Sequence, residues 1–231
     1  MSIVPRLIAA NGSSGGGGGG TDSYWSSVVY MSNTGSTTDL STASTTATAT
    51  SITSDSSRYP ISGSSMLFNG SSSKVILGTT AQIASEDFTV DGWIYPTSYT
   101  EFKQIWSQYD GSGSGDFSNR TILGILSTGK IYFQRGTVAI NGTTTITQNA
   151  WHFVEVTRSA NTVYVFLDGA LETSSALFGS MGNFAPGIGG ASGSVTGNPH
   201  FAGNMSPIRI TKGAARNTSA YSIPTQLFPT S

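Results

Sequence analysis

Carboxylates are the first place to look for chemistry in this chain, which carries twelve acidic side chains. Hydrolysis of a glycosidic bond needs two of them flanking the bond, one as general acid and one as nucleophile or base. On a β-strand such a pair must stand an even number of residues apart, because only alternate positions share a face. Glu86, Glu101, Glu155 and Glu172 have no partner at that spacing. Asp87 and Asp91 share a face with Thr89, but they flank the start of a strand and read as solvated or hydrogen-bonded groups. Nucleophilic catalysis has no better footing. The two histidines are His152 and His200, and no Gly-x-Ser-x-Gly elbow occurs. His152 follows Trp151 in a strand and reads as a hydrogen-bonding side chain, and His200 as a loop residue. The expectation is a protein that is not an enzyme.

Metal and phosphate chemistry are equally thin. Asp110, Asp116 and Asn119 place hard oxygen atoms in a glycine-rich loop and are the calcium candidates. Calcium takes six or more oxygens, and this segment lacks EF-hand spacing, so no cofactor is expected, calcium being the one weighed. The chain has no cysteine, which removes disulfides and thiolate sites. Gly187 to Gly193 is not followed by a helix, and Gly15 to Gly20 is not followed by Lys-Ser or Lys-Thr, so neither reads as a phosphate loop. The remaining candidates are loop aromatics. Tyr99, Phe102, Tyr109, Phe117 and Phe201 have flat apolar faces suited to stacking on sugar rings or docking on a protein neighbour.

The bulk properties narrow the partners. Ten per cent of residues are charged and the net charge is -1, with no Lys/Arg cluster, which argues against nucleic acid. No apolar run is long enough for a membrane-spanning helix. Residues 1–10 make a poor signal peptide, interrupted by Pro5, so synthesis in a cytoplasm without signal-driven export is expected.

Two regions follow from composition. Residues 1–22 hold a short apolar lead, Ile3, Val4, Leu7 and Ile8, and then Gly15, Gly16, Gly17, Gly18, Gly19 and Gly20. Such a glycine run cannot fold alone. It is expected to be an extended anchoring arm, with the apolar lead and the glycines as the partner-binding residues, held in a homo-oligomer or a large assembly. Residues 23–231 read as one all-β domain. Strands are expected near 24–30, 65–68, 88–95, 103–108, 121–126, 130–135, 151–158 and 162–167, with two-residue hairpin turns at Asn69-Gly70, Asn141-Gly142 and Asp168-Gly169. Phe88, Val90, Gly92 and Ile94 fall on one face of their strand, and Thr89, Asp91, Trp93 and Tyr95 on the other. The Ser/Thr/Ala-rich stretch 34–57 can bury little and reads as edge strands or a surface excursion. No helix of note is expected. Many short antiparallel strands separated by turns indicate a two-sheet antiparallel sandwich.

Several of these pieces in order resemble one family. They are Trp25 to Val29, Ser64 to Gly70, Phe88 to Pro96, Trp151 to Gly169, Ile188 to Gly190, Ile208 to Gly213 and Tyr221 to Pro229. Together they resemble a laminin-G-like jelly roll of the concanavalin A-like lectin/glucanase superfamily, in the form found in bacteriophage structural proteins. The family often has an acidic residue shortly before the Arg-containing strand; here the segment is Asn204-Met205-Ser206-Pro207, and no inherited calcium or sugar site is expected there. Pro207 lacks a backbone donor and suits an edge or a bulge. The resemblance implies a structural protein of a tailed bacteriophage virion, anchored by its arm to capsid, tail or fibre proteins. The alternative is a carbohydrate-binding adhesin that contacts host surface glycans.

Overall fold

The computed structural model describes residues 22, 28–31, 39–41, 44–109, 120–177, 179–192 and 200–229, with the backbone alone at 28–31. Among them, fifteen strands form two antiparallel sheets, and the one helical turn is a 3-10 segment at Thr79–Ala81. The strands are β1 (Val28–Met31), β2 (Ala47–Thr50), β3 (Thr53–Asp55), β4 (Ser65–Asn69), β5 (Lys74–Leu77), β6 (Phe88–Pro96), β7 (Lys103–Gln108) and β8 (Thr121–Ile125), followed by β9 (Lys130–Arg135), β10 (Val138–Thr145), β11 (His152–Ser159), β12 (Thr162–Leu167), β13 (Ala170–Ala176), β14 (Pro186–Ile188) and β15 (Ala202–Lys212). An eight-stranded sheet runs β13-β12-β11-β6-β15-β4-β3, with β1 also on β15; a seven-stranded sheet runs β10-β9-β8-β7-β14-β5-β2. The all-β sandwich is thus the fold.

One core lies between the sheets. Phe88, Val90, Ile94, Val154, Val156, Ile208 and Ile210 come from the eight-stranded sheet, and Val75, Leu77, Trp106, Leu123, Ile125, Ile131, Phe133 and Ile188 from the other. Alternation along each strand produces this division, and it follows the expected faces of β6. The Ser/Thr-rich stretch forms β2 and β3, each at the end of a sheet. Their exposed side chains suit edges, where little area is buried.

Three turns were expected to be hairpins, and one is. Asp168 and Gly169 both have positive φ (51° and 80°) and join β12 to β13 as a two-residue turn. Asn69-Gly70 instead ends β4 in one sheet and leads to β5 in the other. The Asn69 Oδ1 accepts from the backbone N–H of Ser71, Ser72 and Ser73 at 2.9, 2.9 and 3.0 Å, so a side chain organises a wider corner. Asn141-Gly142 lies inside β10, where the register against β9 shifts. A Cβ at Gly142 would lie 2.4 Å from Ile131 Cγ2, so this glycine permits close approach.

The strand with Arg209 is central rather than an edge. Residues 202–205 of β15 pair with β4, and 208–211 pair with β1. Pro207 sits where the register against β6 shifts between Met205 and Ile208, the bulge its missing donor calls for.

Candidate functional site

A sandwich has two outer faces, and here they differ. The outer face of the eight-stranded sheet is sealed by the C-terminal tail. Glu155, Asp91 and Arg209 stand side by side across β11, β6 and β15. The Arg209 guanidinium donates to both oxygens of Asp91, Nε to Oδ1 at 3.0 Å and Nη2 to Oδ2 at 2.5 Å. Its Cζ lies 3.8 Å from the Phe228 ring centroid. Phe228 packs with Trp93 and Phe153, and Tyr221 contacts both Phe153 and Phe166 edge to face. Arg209 points away from the core, but the tail buries it. Glu155 is fully buried and accepts from Asn217 Nδ2 at 2.9 Å. Loss of water, and then the neighbouring Asp91 charge, push the Glu155 carboxyl up to about 8, so it is largely neutral at pH 7. Burial likewise pushes the Tyr221 phenol well up. This face is a buried polar network covered by the tail.

The outer face of the seven-stranded sheet is different. On β8, Leu123 and Ile125 point into the core, so Ile122 and Gly124 point outward. Register then places Tyr132 beside Gly124, and Gln134 and Ser107 beside Ile122. Gln104 pairs with Gly124 and shares that side, before a bulge that turns both Ile105 and Trp106 inward. Phe102 lies over Gly124, where a Cβ would sit 2.8 Å from its ring. Glycine at 124 therefore makes room for an aromatic ring. Phe102 meets Tyr132 edge to face at 5.5 Å between centroids. Gln134 Oε1 accepts from the Tyr132 hydroxyl at 2.8 Å and from Arg120 Nη2 at 2.6 Å, and Gln134 Nε2 donates to the Gly136 carbonyl at 2.9 Å. The Arg120 guanidinium also lies 5.7 Å from the Tyr109 ring centroid. Desolvation raises the Tyr132 phenol against the opposing pull of Arg120, which keeps it protonated as a donor. The result is a half-buried aromatic corner beside fixed donors and acceptors.

The expected contact residues divide. Phe102 is half-buried at this corner, and Tyr109 packs with Ile122 and Ala191 alongside it with 7% exposure. Tyr99 is drawn away to the core: its hydroxyl donates to the Ile146 carbonyl at 2.8 Å, and its ring packs on Gly129. Phe201 is a correction. It is fully buried, packed edge to face on Phe68 at 6.0 Å, and has no face for a sugar ring. Phe117, the calcium candidates Asp110, Asp116 and Asn119, and the arm residues Ile3, Val4, Leu7, Ile8 and Gly15 to Gly20 lie outside the described residues. Among the described residues no group of three or more His, Asp or Glu is placed to hold a metal ion, and no helix is long and apolar enough to cross a membrane.

The histidines are structural in their contacts. His152 Nδ1 lies 2.8 Å from Asp168 Oδ2, and Asp168 Oδ1 accepts from the Phe153 N–H, so the pair fastens the β12–β13 turn to β11. The Asp168 hydrogen bond outweighs burial and raises the His152 imidazole. His200 is buried, with Nδ1 at 3.0 Å from the Ser73 carbonyl, and burial together with Lys74 and Lys103 lowers it. Sequence reasoning missed Tyr132, Gln134, Arg120 and Gln104. The alternation Ile131/Phe133 against Tyr132/Gln134 was a usable signal for the outward pair.

Known structures share this architecture. Domain 4 of AbnA, an extracellular arabinanase of Geobacillus stearothermophilus solved with arabinotriose, superposes with a TM-score of 0.59 at 15% identity over 81% of this chain and 92% of that domain. The binding domain of Paraclostridial Mosquitocidal Protein 1 does so with a TM-score of 0.62 at 15% identity, over 83% of this chain and 49% of that one. Botulinum neurotoxin type C, whose cell entry depends on two ganglioside molecules, gives 0.57 at 16% identity over 79% and 47%. At such identities the likeness is one of fold. Comparison with curated protein sequences returns no match. A family model, however, matches residues 69–218, from the Asn69 corner through the Arg209 strand to the start of the tail. The chain belongs to the concanavalin A-like lectin/glucanases superfamily.

Proposed function

We propose that the domain is a carbohydrate-binding module whose site is the outer face of the seven-stranded sheet. The observation that carries this reading is the Phe102–Tyr132 corner, with the Tyr132 hydroxyl and Arg120 both held on Gln134. A sugar ring has apolar C–H faces and a rim of hydroxyls. An aromatic surface beside fixed donors and acceptors suits both. Arabinotriose bound to the AbnA domain and gangliosides used by the botulinum toxin support carbohydrate as the ligand class for a sandwich of this shape. Binding without catalysis is the reading favoured here, since the buried carboxylates Asp91 and Glu155 sit on the sealed opposite face.

Glycan-array screening followed by calorimetry tests the site. Tyr132→Ala is expected to weaken any captured glycan by about tenfold or more, the scale of one lost aromatic contact. Tyr59→Ala, at a position 45% exposed elsewhere, should bind as the wild type does. Silence across neutral and acidic glycans, or unchanged affinity for Tyr132→Ala, would sink the proposal.

We further propose that residues 1–22 attach the module to other virion proteins of a tailed bacteriophage, so that it is displayed on the particle. This part rests on the sequence resemblance and on the composition of the arm. Deleting residues 1–20 is expected to abolish incorporation into particles while the domain stays folded. Normal incorporation would overturn the anchoring role.

A further inference from the structure

Asp22 lies against the sealed face. Its carboxylate is 4% exposed, and its Oδ2 lies 2.6 Å from Arg216 Nη2 and 3.5 Å from Arg209 Nη1. These two arginines hold opposite ends of the tail. Arg216 begins it, with its N–H donating to Thr89 Oγ1 at 2.9 Å and its Nε to Thr211 Oγ1 at 2.7 Å. Arg209 supports its far end through the Phe228 ring. One carboxylate therefore touches the cations at both ends of a segment that covers Trp93, Phe153 and Phe166.

We propose that Asp22 is a latch that couples the chain preceding it to the C-terminal tail: seated, it keeps residues 214–228 closed over the eight-stranded sheet, and withdrawn, it lets them open. The inference does not depend on glycan binding. The charges explain why one residue suffices. The groups that meet here are Arg209 of β15, Arg216 and Tyr221 of the tail, Asp91 of β6, Glu155 of β11, and Asp22 itself. With Glu155 and Tyr221 neutral, two cations balance two anions. Removing Asp22 leaves a guanidinium in excess in a site largely closed to water, an arrangement that buried ion pairs tolerate poorly. The core strands are expected to be spared, because the ion pairs of Asp22 run to Arg216 of the tail and to Arg209 on the outer side of β15. A pull that unseats Asp22 would act on the tail through Arg216 and Arg209.

Hydrogen exchange of the full chain, read by mass spectrometry, tests the latch. Asp22→Asn is expected to speed exchange in residues 214–229 by about tenfold or more while β7, β8 and β9 keep wild-type protection. Loss of the Asp22 charge should also make Glu155 easier to ionise, so stability should fall less steeply between about pH 4.5 and 8 than in the wild type. A purely steric role for Asp22 would leave that slope unchanged. If Asp22→Asn unfolds, Arg216→Met alone carries the exchange test; otherwise the double variant completes it, because the two single losses should then not add. Unchanged tail exchange, exchange raised equally throughout the domain, or full additivity with an unaltered pH slope would each overturn the proposal.

Discussion

Arg209→Met is expected to cost about 3–5 kcal/mol of stability, because it breaks a buried ion pair from one side. The methionine retains much of the volume but none of the five donors. Asp91 would lose both of its Arg209 hydrogen bonds, at 3.0 and 2.5 Å, and would be left directly beside Glu155 in the sheet. Asp22 would keep Arg216 but lose Arg209. Phe228 would also lose the cation under its ring. Urea unfolding at pH 7 measures the effect. A loss below about 1 kcal/mol would mean that the pair behaves like an exposed surface bridge, contrary to its burial.

Glu155→Gln is expected to stabilise the domain, and increasingly so as pH rises. A folded-state value near 8 lies above the ordinary carboxylate range, so the folded protein holds a proton that the unfolded chain releases. The contribution of Glu155 is therefore fully present below about pH 4.5 and is lost progressively up to about pH 8, at about 1.4 kcal/mol per unit. Glutamine offers what the neutral acid offers, an oxygen to accept from Asn217 and a donor in place of the acid proton. Wild type and variant should have nearly equal stability at pH 4.5 and differ by on the order of 3 kcal/mol at pH 7. Chemical denaturation at three or four pH values gives the answer. A difference that does not change with pH would rule out Glu155 as the titrating group.

Much of the fold was legible because alternation is local. The faces of β6, the β11–β12 hairpin and the Asp168-Gly169 turn were readable from a few adjacent residues, and Pro207 marked its bulge through a missing donor. Asn69-Gly70 and Asn141-Gly142 were not readable in the same way. The dipeptide states only that a positive φ or a close approach is tolerated. Whether the chain turns back, crosses to the other sheet or bulges depends on Phe201, Ala202 and Ile131, which are distant in sequence.

The candidate site shows the same limit. Loop aromatics can be picked out by type, but type does not say whether a ring faces water. Phe201 and Phe102 are both phenylalanines flanking loops; one fills the core against Phe68, and the other lies over Gly124 on the outer face. Tyr132, Gln134 and Arg120 come from two segments and become one hydrogen-bonded group only when β8 and β9 pair.

By itself, then, the sequence determined the class of the protein: an all-β sandwich without cysteine, of low charge, with a distinct glycine-rich leader. Those properties are set by composition and by period-two patterning, which act within a strand. Only the tertiary structure decided that the tail closes the outer face of the eight-stranded sheet while Phe102 and Tyr132 stay half-buried on the outer face of the other. It did so by folding the tail back over the sheet and bringing Asp22, Asp91, Glu155, Arg209 and Arg216 together from five separate places in the chain. Charge balance among them is a property of their spatial arrangement, and linear order carries no record of it.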